Sequence, residues 1–351
     1  MRSTPSDEIM LKTEGLTKRY AEFTALSDLN LSIPRGSVFG YIGHNGAGKT
    51  TTIRILAGLL QSTSGKAIIG GVDVTGDRDH LKRLVGYMPD DFGVYDQMRV
   101  WEYLDFFGSA FKIPRSARKK RLDEVMAITG SEALRDKFVD TLSKGMKQRV
   151  GIARTLMHDP QVLLLDEPAN GLDPRARIDM RNLIRQLADD GKTILVSSHI
   201  LPELAEICDL VGIIHQGVLQ TAGPIDKVLS SIKRDRLVEA KALGEVSRIV
   251  QIIQKEADCR KLDLTEQKVG VVQFRFAGND AAMSALLAKL VPAGLVTFRE
   301  VPLSLEDAFM ALSGMSAPEQ TDEETETDQA GHTTSAPAAG SPKSSSPRKV
   351  K

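Results

Sequence analysis

The chain has 351 residues, room for two domains and a tail. Lys+Arg and Asp+Glu both number 46, so the formal net charge is +0, which argues against a broad nucleic-acid footprint; 41% hydrophobic and 26% charged residues are ordinary for a globular chain. Met1–Met10 is polar without an apolar signal core, and no apolar run approaches the ~18 residues of a membrane span, so a role at a membrane requires another chain to supply the span. Cys208 and Cys259 have no pairing or metal spacing and read as small, partly buried thiols.

Ile9–Leu16 and Leu29–Ile33 read as strands with a turn between them. Tyr20 lies in that interval, where an aromatic ring can either stack on a base or pack on the sheet surface. Val38–Ile42 is an apolar run of strand length, and Thr52–Leu60 is apolar at helical spacing. Between them, Gly43–Thr51 reads Gly-His-Asn-Gly-Ala-Gly-Lys-Thr-Thr and fits the phosphate-loop pattern G-x-x-x-x-G-K-[ST] in its required strand–loop–helix context. Glycines at 43, 46 and 48 let successive N–H groups turn inward on an anion, and the following helix adds the positive end of its dipole. Lys49 can reach the β- and γ-phosphates as a point charge, and the Thr50 hydroxyl can ligate Mg²⁺.

Gly65–Ile69 reads as a strand, Gly70–Val74 as a turn, Arg78–Leu84 as a helix, Val85–Met88 as a short strand and Pro89–Gly93 as a loop. Val100–Phe111 and Ser116–Ile128 have helical periodicity, which predicts a helical subdomain inserted in an α/β core. Its basic run Arg115–Arg121 reads as a solvated helix face. Ser143 is a good N-cap for a helix running to Met157, and a Ser cap, a Gly and a helix N-terminus together can hold an anion.

Val162–Leu165 has the length and apolarity of a buried parallel strand and runs into Asp166-Glu167-Pro168. Paired carboxylates at such a strand end sit where open α/β sheets bind ligands, Asp166 suited to Mg²⁺ and Glu167 to orienting or deprotonating a water. A turn and a helix from Pro174 to about Ala188 precede the strand Thr193–Val196, which runs into Ser197-Ser198-His199; a His there can hydrogen-bond a γ-phosphate. Leu210–His215 and Val218–Thr221 read as a hairpin about Gln216-Gly217, and Pro224–Ser230 as a short helix. Arg236–Gly314 then reads as a small α+β unit of ferredoxin-like order, with strands Leu237–Ala240, Cys259–Leu264, Val271–Phe276 and Val296–Val301 and helices Val246–Ala257, Asp280–Leu290 and Leu305–Leu312. From Met315 the composition collapses to Glu, Thr, Ser, Pro, Gly and Ala, acidic first and basic at the end, and predicts a disordered tail.

The whole set, in this order over Ile9–Ser231, resembles the ATP-binding subunit of an ABC transporter. Tyr20 matches the adenine-stacking aromatic, Gly43–Thr51 Walker A with Asn45 and Thr51 among its nucleotide-binding positions, and Leu142–Met146 the signature loop. Val162–Glu167 matches Walker B with Glu167 as the catalytic glutamate, Gly171–Pro174 the D-loop and His199 the switch histidine. The resemblance implies an ATPase using ATP and Mg²⁺, held by Thr50, Asp166 and Asp90. Two such subunits, a homodimer or a heterodimer with a paralogue, would close head to tail so that Ser143 and Gly145 of one face the phosphate loop of the other. It further implies integral membrane partners on separate chains, a peripheral place on the cytoplasmic side of the membrane, and export.

Two positions depart from the family pattern. Asp90 stands where Gln is usual, and adds a negative charge beside the phosphates while keeping the capacity to ligate a metal. The signature reads Leu-Ser-Lys-Gly-Met rather than Leu-Ser-Gly-Gly-Gln, so that Lys144 either adds charge at the facing site or points to solvent. The predicted organisation is an α/β P-loop ATPase core, 1–231, with a helical subdomain at about 93–158, a C-terminal α+β unit, 236–314, and a tail, 315–351. A non-transport ABC ATPase acting on nucleic acid or ribosomes is the competing reading; such proteins carry two motif sets or a long coiled coil, and 93–139 is too short for one. A kinase-like phosphotransferase would leave the signature loop and His199 unexplained.

Overall fold

A computed structural model describes residues 8–91, 93, 97–199, 201–231, 236–243, 246–256, 258–263 and 271–301. The expected helix Leu305–Leu312, residue Leu264 and the tail from Met315 lie outside them. The chain begins with β1 (Ile9–Tyr20) and β2 (Phe23–Pro34), an antiparallel hairpin. Both strands outrun their expected limits, because shifts of register between Thr13 and Leu16 and between Leu16 and Lys18 absorb the polar stretch that breaks the alternation. Tyr20 thereby pairs with Phe23 at the hairpin end.

Next come β3 (Val38–Ile42), α1 (Lys49–Leu56), β4 (Ser64–Ile69), β5 (Val72–Asp73), α2 (Arg78–Leu84) and β6 (Val85–Met88). Helix α1 starts three residues earlier than the expected Thr52, inside the phosphate loop itself. Three helices follow, α3 (Val100–Ala110), α4 (Arg115–Ile128) and α5 (Lys144–Leu156), as the sequence predicts. They lead to β7 (Val162–Asp166), α6 (Pro174–Asp189), β8 (Thr193–Ser198), α7 (Leu201–Ile207), β9 (Leu210–His215), β10 (Val218–Pro224) and α8 (Ile225–Ser231). The sequence pattern does not predict α7: Pro202 in its first turn reads as a breaker, although that is a position where a missing N–H costs little.

Two sheets build this region. The first is antiparallel, in the order β2-β1-β4-β5. The second runs β10-β9-β3-β8-β7-β6, parallel except for the edge strand β10. Every residue of β3, β7 and β8 is buried, as apolar runs in a doubly covered parallel sheet require. One core, with Phe39, Tyr41, Ile53 and Leu164, fills the space between the sheets; the other, with Val196, Leu163, Leu104, Val150 and Ile184, packs α3 to α6 on the opposite face. Burial holds the Tyr41 phenol neutral, its pKa raised, and its hydroxyl bonds Thr52 at 3.2 Å.

The remaining described residues form β11 (Arg236–Ala242), α9 (Ser247–Lys255), β12 (Cys259–Asp263), β13 (Val271–Phe276), α10 (Asp280–Leu290) and β14 (Leu295–Val301). Their antiparallel sheet, ordered β12-β13-β11-β14, has the expected ferredoxin-like arrangement. It has a separate core of Val238, Ile249, Phe274, Leu286 and Leu290. Among the described residues no helix is long and apolar enough to cross a membrane.

Candidate functional site

The loop between β3 and α1 is clamped by backbone. A Cβ on Gly43 would come 2.7 Å from the Ile214 carbonyl, and one on Gly48 would come 2.7 Å from the Ala25 carbonyl. Gly48 also has φ of 110° as the N-cap of α1, a conformation that a side chain would strain. The pattern's glycines are therefore needed for close approach as well as for curvature.

Lys49 is only 5% exposed and turns back into the loop. Its Nζ donates to the Gly43 carbonyl at 2.5 Å and to that of His44 at 3.3 Å. It also lies 3.1 Å from Oε1 of Glu167. That contact lacks hydrogen-bond alignment, so the buried Oε1 is a charge neighbour of Lys49 without a hydrogen-bond partner. Oε2 of the same carboxylate is 2.7 Å from Nδ1 of His199. Glu167 has φ of 51°, in the left-handed region that non-glycine residues seldom adopt and that costs about 1–3 kcal/mol.

Ser197, at the end of β8, joins the two carboxylate residues. Its hydroxyl donates to Asp166 Oδ1 at 2.8 Å and accepts the Glu167 N–H at 3.0 Å. Asp166 is 2% exposed, and burial raises its carboxyl pKa; hydrogen bonds from Ser197 and Thr50 and the charge of Lys49 oppose that, while Glu167 adds to it. Local sequence pattern singles out the run Ser197–His199 but gives Ser197 no role; the signal is its register position, opposite Asp166 on the adjacent parallel strand.

The donor set fits a nucleotide triphosphate with Mg²⁺. Thr50 and Asp166 offer hard oxygens side by side, Lys49 offers a buried cation, and Glu167 keeps a buried, unbonded oxygen. Among the described residues no group of three His, Cys, Asp or Glu gathers for a metal, so the sheet end is not built as an all-protein metal cage.

The other expected site residues stand apart. Asn45 and Gly46 are exposed on the loop, and Thr51 follows Thr50 in the first turn of α1. The Tyr20 ring is 47% exposed, with Lys18 Nζ 5.1 Å from its centroid, and no hydrogen bond or ring contact among the described residues joins it to the loop. Ser143 caps α5, accepting the Met146 N–H at 3.4 Å, and Gly145 lies against Ala176 of α6. The Lys144 ammonium rests over Gly171, 2.6 Å from where a Cβ would stand, so its charge lies along the 169–172 turn of its own chain. Asp90 engages the Asn170 amide, which lies 3.2 and 3.3 Å from its two carboxylate oxygens.

A histidine at a variable position of the loop pairs with one at the end of β9. His44 Nδ1 is 2.7 Å from the Asn45 carbonyl, which can only accept, so Nδ1 carries a proton; its Nε2 is 3.2 Å from Nδ1 of His215, the last residue of β9.

Comparison with known proteins agrees with this geometry. A family model described as "ABC transporter" matches residues 26–170. The bacitracin transport ATP-binding protein BcrA of Bacillus licheniformis is 36% identical over 308 residues, covering 87% of this chain and 97% of that protein. The linearmycin resistance ATP-binding protein LnrL of Bacillus subtilis is 30% identical over 308 residues, covering 87% and 98%. Among solved structures, cbiO1 from Clostridium perfringens, part of the ABC transporter complex cbiONQ, superposes with a TM-score of 0.59 at 31% identity, covering 64% of this chain and 92% of that one. A dimeric structure of MJ0796, a bacterial ABC transporter cassette, gives a TM-score of 0.57 at 26% identity, covering 62% and 99%. With a glycine-clamped phosphate loop, adjoining carboxylates and near full-length relatives of this kind, the chain belongs to the ATP-binding proteins of ABC transporters and is an ATPase.

Proposed function

We propose that this chain hydrolyses ATP to power export through separate membrane subunits, with Glu167 as the residue that activates water. The observation that carries the reading is the fixing of Glu167 from three sides, by Lys49, His199 and Ser197. The loop N–H groups and Lys49 bind the phosphates of ATP, with Gly43, Asn45, Gly46, Gly48, Thr50 and Thr51 forming the cradle. Thr50 and Asp166 would hold Mg²⁺, which would supply positive charge to neutralise the phosphate oxygens. Glu167 orients a water and takes its proton, and His199 keeps the carboxylate in place through Nδ1, leaving Nε2 for the γ-phosphate. Tyr20 offers its ring to the adenine.

Ser143 and Gly145 share no hydrogen bond or ion pair with the phosphate loop among the described residues, which supports their service to the loop of a second subunit. A solved relative is named as dimeric, and two curated relatives are named for bacitracin transport and linearmycin resistance. These names support a dimer, homo- or heteromeric, and an exporting complex; the subunit would then lie peripherally on the cytoplasmic side, where ATP is found. The core 1–231 does this chemistry, and 236–314 is an accessory unit with a core of its own.

A pull-down of the tagged full-length chain from detergent-solubilised membranes tests the reading. Recovery of an integral membrane protein in stoichiometric amount is the expected result; recovery of ribosomes or DNA without one contradicts it.

A further inference from the structure

The turn that follows β7 starts with strain and, although Leu172 and Ala169 pack on the core, it has few side chains that can hydrogen-bond. Glu167 has φ of 51°, and neither Pro168 nor Ala169 has a side chain that can hydrogen-bond. At its start the turn is held by Ser197, which accepts the Glu167 N–H at 3.0 Å. It closes with the Asn170 N–H donating to the Glu167 carbonyl at 3.0 Å. Asn170 is then the turn's one amide side chain, and it is committed to Asp90, its Nδ2 lying 3.2 and 3.3 Å from the two carboxylate oxygens.

Asp90 is anchored in turn. Gln148 of α5, 2% exposed, donates its Nε2 to the Asp90 carbonyl at 3.2 Å. A chain of contacts therefore runs from the helix that Ser143 caps, through Gln148, Asp90 and Asn170, to Glu167. Its two side-chain links join residues 58 and 80 positions apart.

We propose that Asp90 is a positioning residue for Glu167, acting through the Asn170 amide rather than through direct ligation of a metal. A carboxylate suits this role, because both of its oxygens accept from one N–H donor and a charged acceptor makes a stronger bond than an amide oxygen would. Loss of the link frees the far end of a strained turn and loosens the backbone that carries Glu167, whose carboxylate Lys49 and His199 still engage. The consequence for hydrolysis rests on Glu167 activating water; the link itself does not.

The test uses the full-length chain and four variants, Asp90→Ala, Asp90→Asn, Asn170→Ala and the double alanine. Amide hydrogen exchange across residues 167–172 is followed without nucleotide, so that it stands or falls apart from the catalytic assignment. The Mg²⁺ concentration that half-saturates ATP binding is measured alongside. Asp90→Ala and Asn170→Ala should each speed exchange in the turn by about tenfold, with the double variant no faster than either single one. Asp90→Asn, which keeps an acceptor oxygen, should restore most of the protection, and the Mg²⁺ midpoint should stay unchanged in all four. Unchanged exchange in either single alanine variant overturns the proposal, as does an additive double variant. So does a raised Mg²⁺ midpoint in Asp90→Ala that Asn170→Ala does not share, which would make Asp90 a metal ligand.

Discussion

The ammonium of Lys49 lies 3.1 Å from Oε1 of Glu167, so the cation of the phosphate loop and the carboxylate at the end of β7 share one buried position. The two come from motifs 118 positions apart (167 minus 49) and meet because β3 and β7 flank β8 in the parallel sheet. Lys49 is then poised between the acceptors of its own chain and the phosphates it binds.

Removal of that cation gives the first expectation. Lys49→Ala should weaken ATP binding by about ten- to a hundredfold, the range for losing a charged hydrogen bond. It also leaves Glu167 without its buried counter-charge, so the variant should be less stable as well. Titration calorimetry and urea denaturation measure the two effects; unchanged affinity would remove Lys49 from phosphate binding.

Ser197 is the second. Its hydroxyl serves Asp166 and the Glu167 N–H at once, and all three groups are buried. Ser197→Ala leaves a carboxylate oxygen and an N–H without their partner and should cost about 1–3 kcal/mol in a urea unfolding experiment. Hydrolysis should fall as well, since the N–H bond helps fix Glu167. Ser197→Thr keeps the hydroxyl and should lie closer to the parent in both readouts. A Ser197→Ala variant as stable and active as the parent would refute the bridging role.

A third expectation concerns pH. His158 stacks on Phe111 with ring centroids 3.9 Å apart and bonds the Val85 carbonyl through Nε2 at 3.0 Å, while its buried Nδ1 has no hydrogen-bond partner. Burial lowers its pKa below the ordinary histidine value, so the folded state favours the neutral ring. The unfolded chain then binds the proton first as pH falls. The stability contributed by neutral His158 is complete above about pH 6.5 and is lost as pH drops through the folded-state pKa, at no more than about 1.4 kcal/mol per pH unit. Unfolding followed from pH 7.5 to 5.5 should show a smaller loss in His158→Gln than in the parent. Equal losses would mean that other groups carry the dependence.

Much of this is legible in the residues. The phosphate loop is legible because its glycines, lysine and threonine are fixed in spacing and bracketed by β3 and α1. The buried strands β7 and β8 are legible because apolar runs of that length have few other uses, and β13 and α10 fall on their expected limits, Val271–Phe276 and Asp280–Leu290. Helix α7 is hidden by Pro202, and the true length of β1 by its bulges. What local pattern does not give is pairing across the sheet. Nothing near Asp90 in sequence announces Asn170, and nothing near Lys144 announces that its ammonium lies over Gly171. Those contacts depend on how the helices and loops pack, which a period of 2 or 3.6 residues does not encode.

The assignment of Glu167 as the residue that activates water is tested most directly by Glu167→Gln. The amide keeps the shape of the side chain and removes the base. ATP binding, measured by titration calorimetry on the full-length chain, should stay within a few-fold of the parent, while single-turnover hydrolysis with Mg²⁺ should fall by at least about a hundredfold. Hydrolysis near the parent rate, with binding intact, would contradict the assignment.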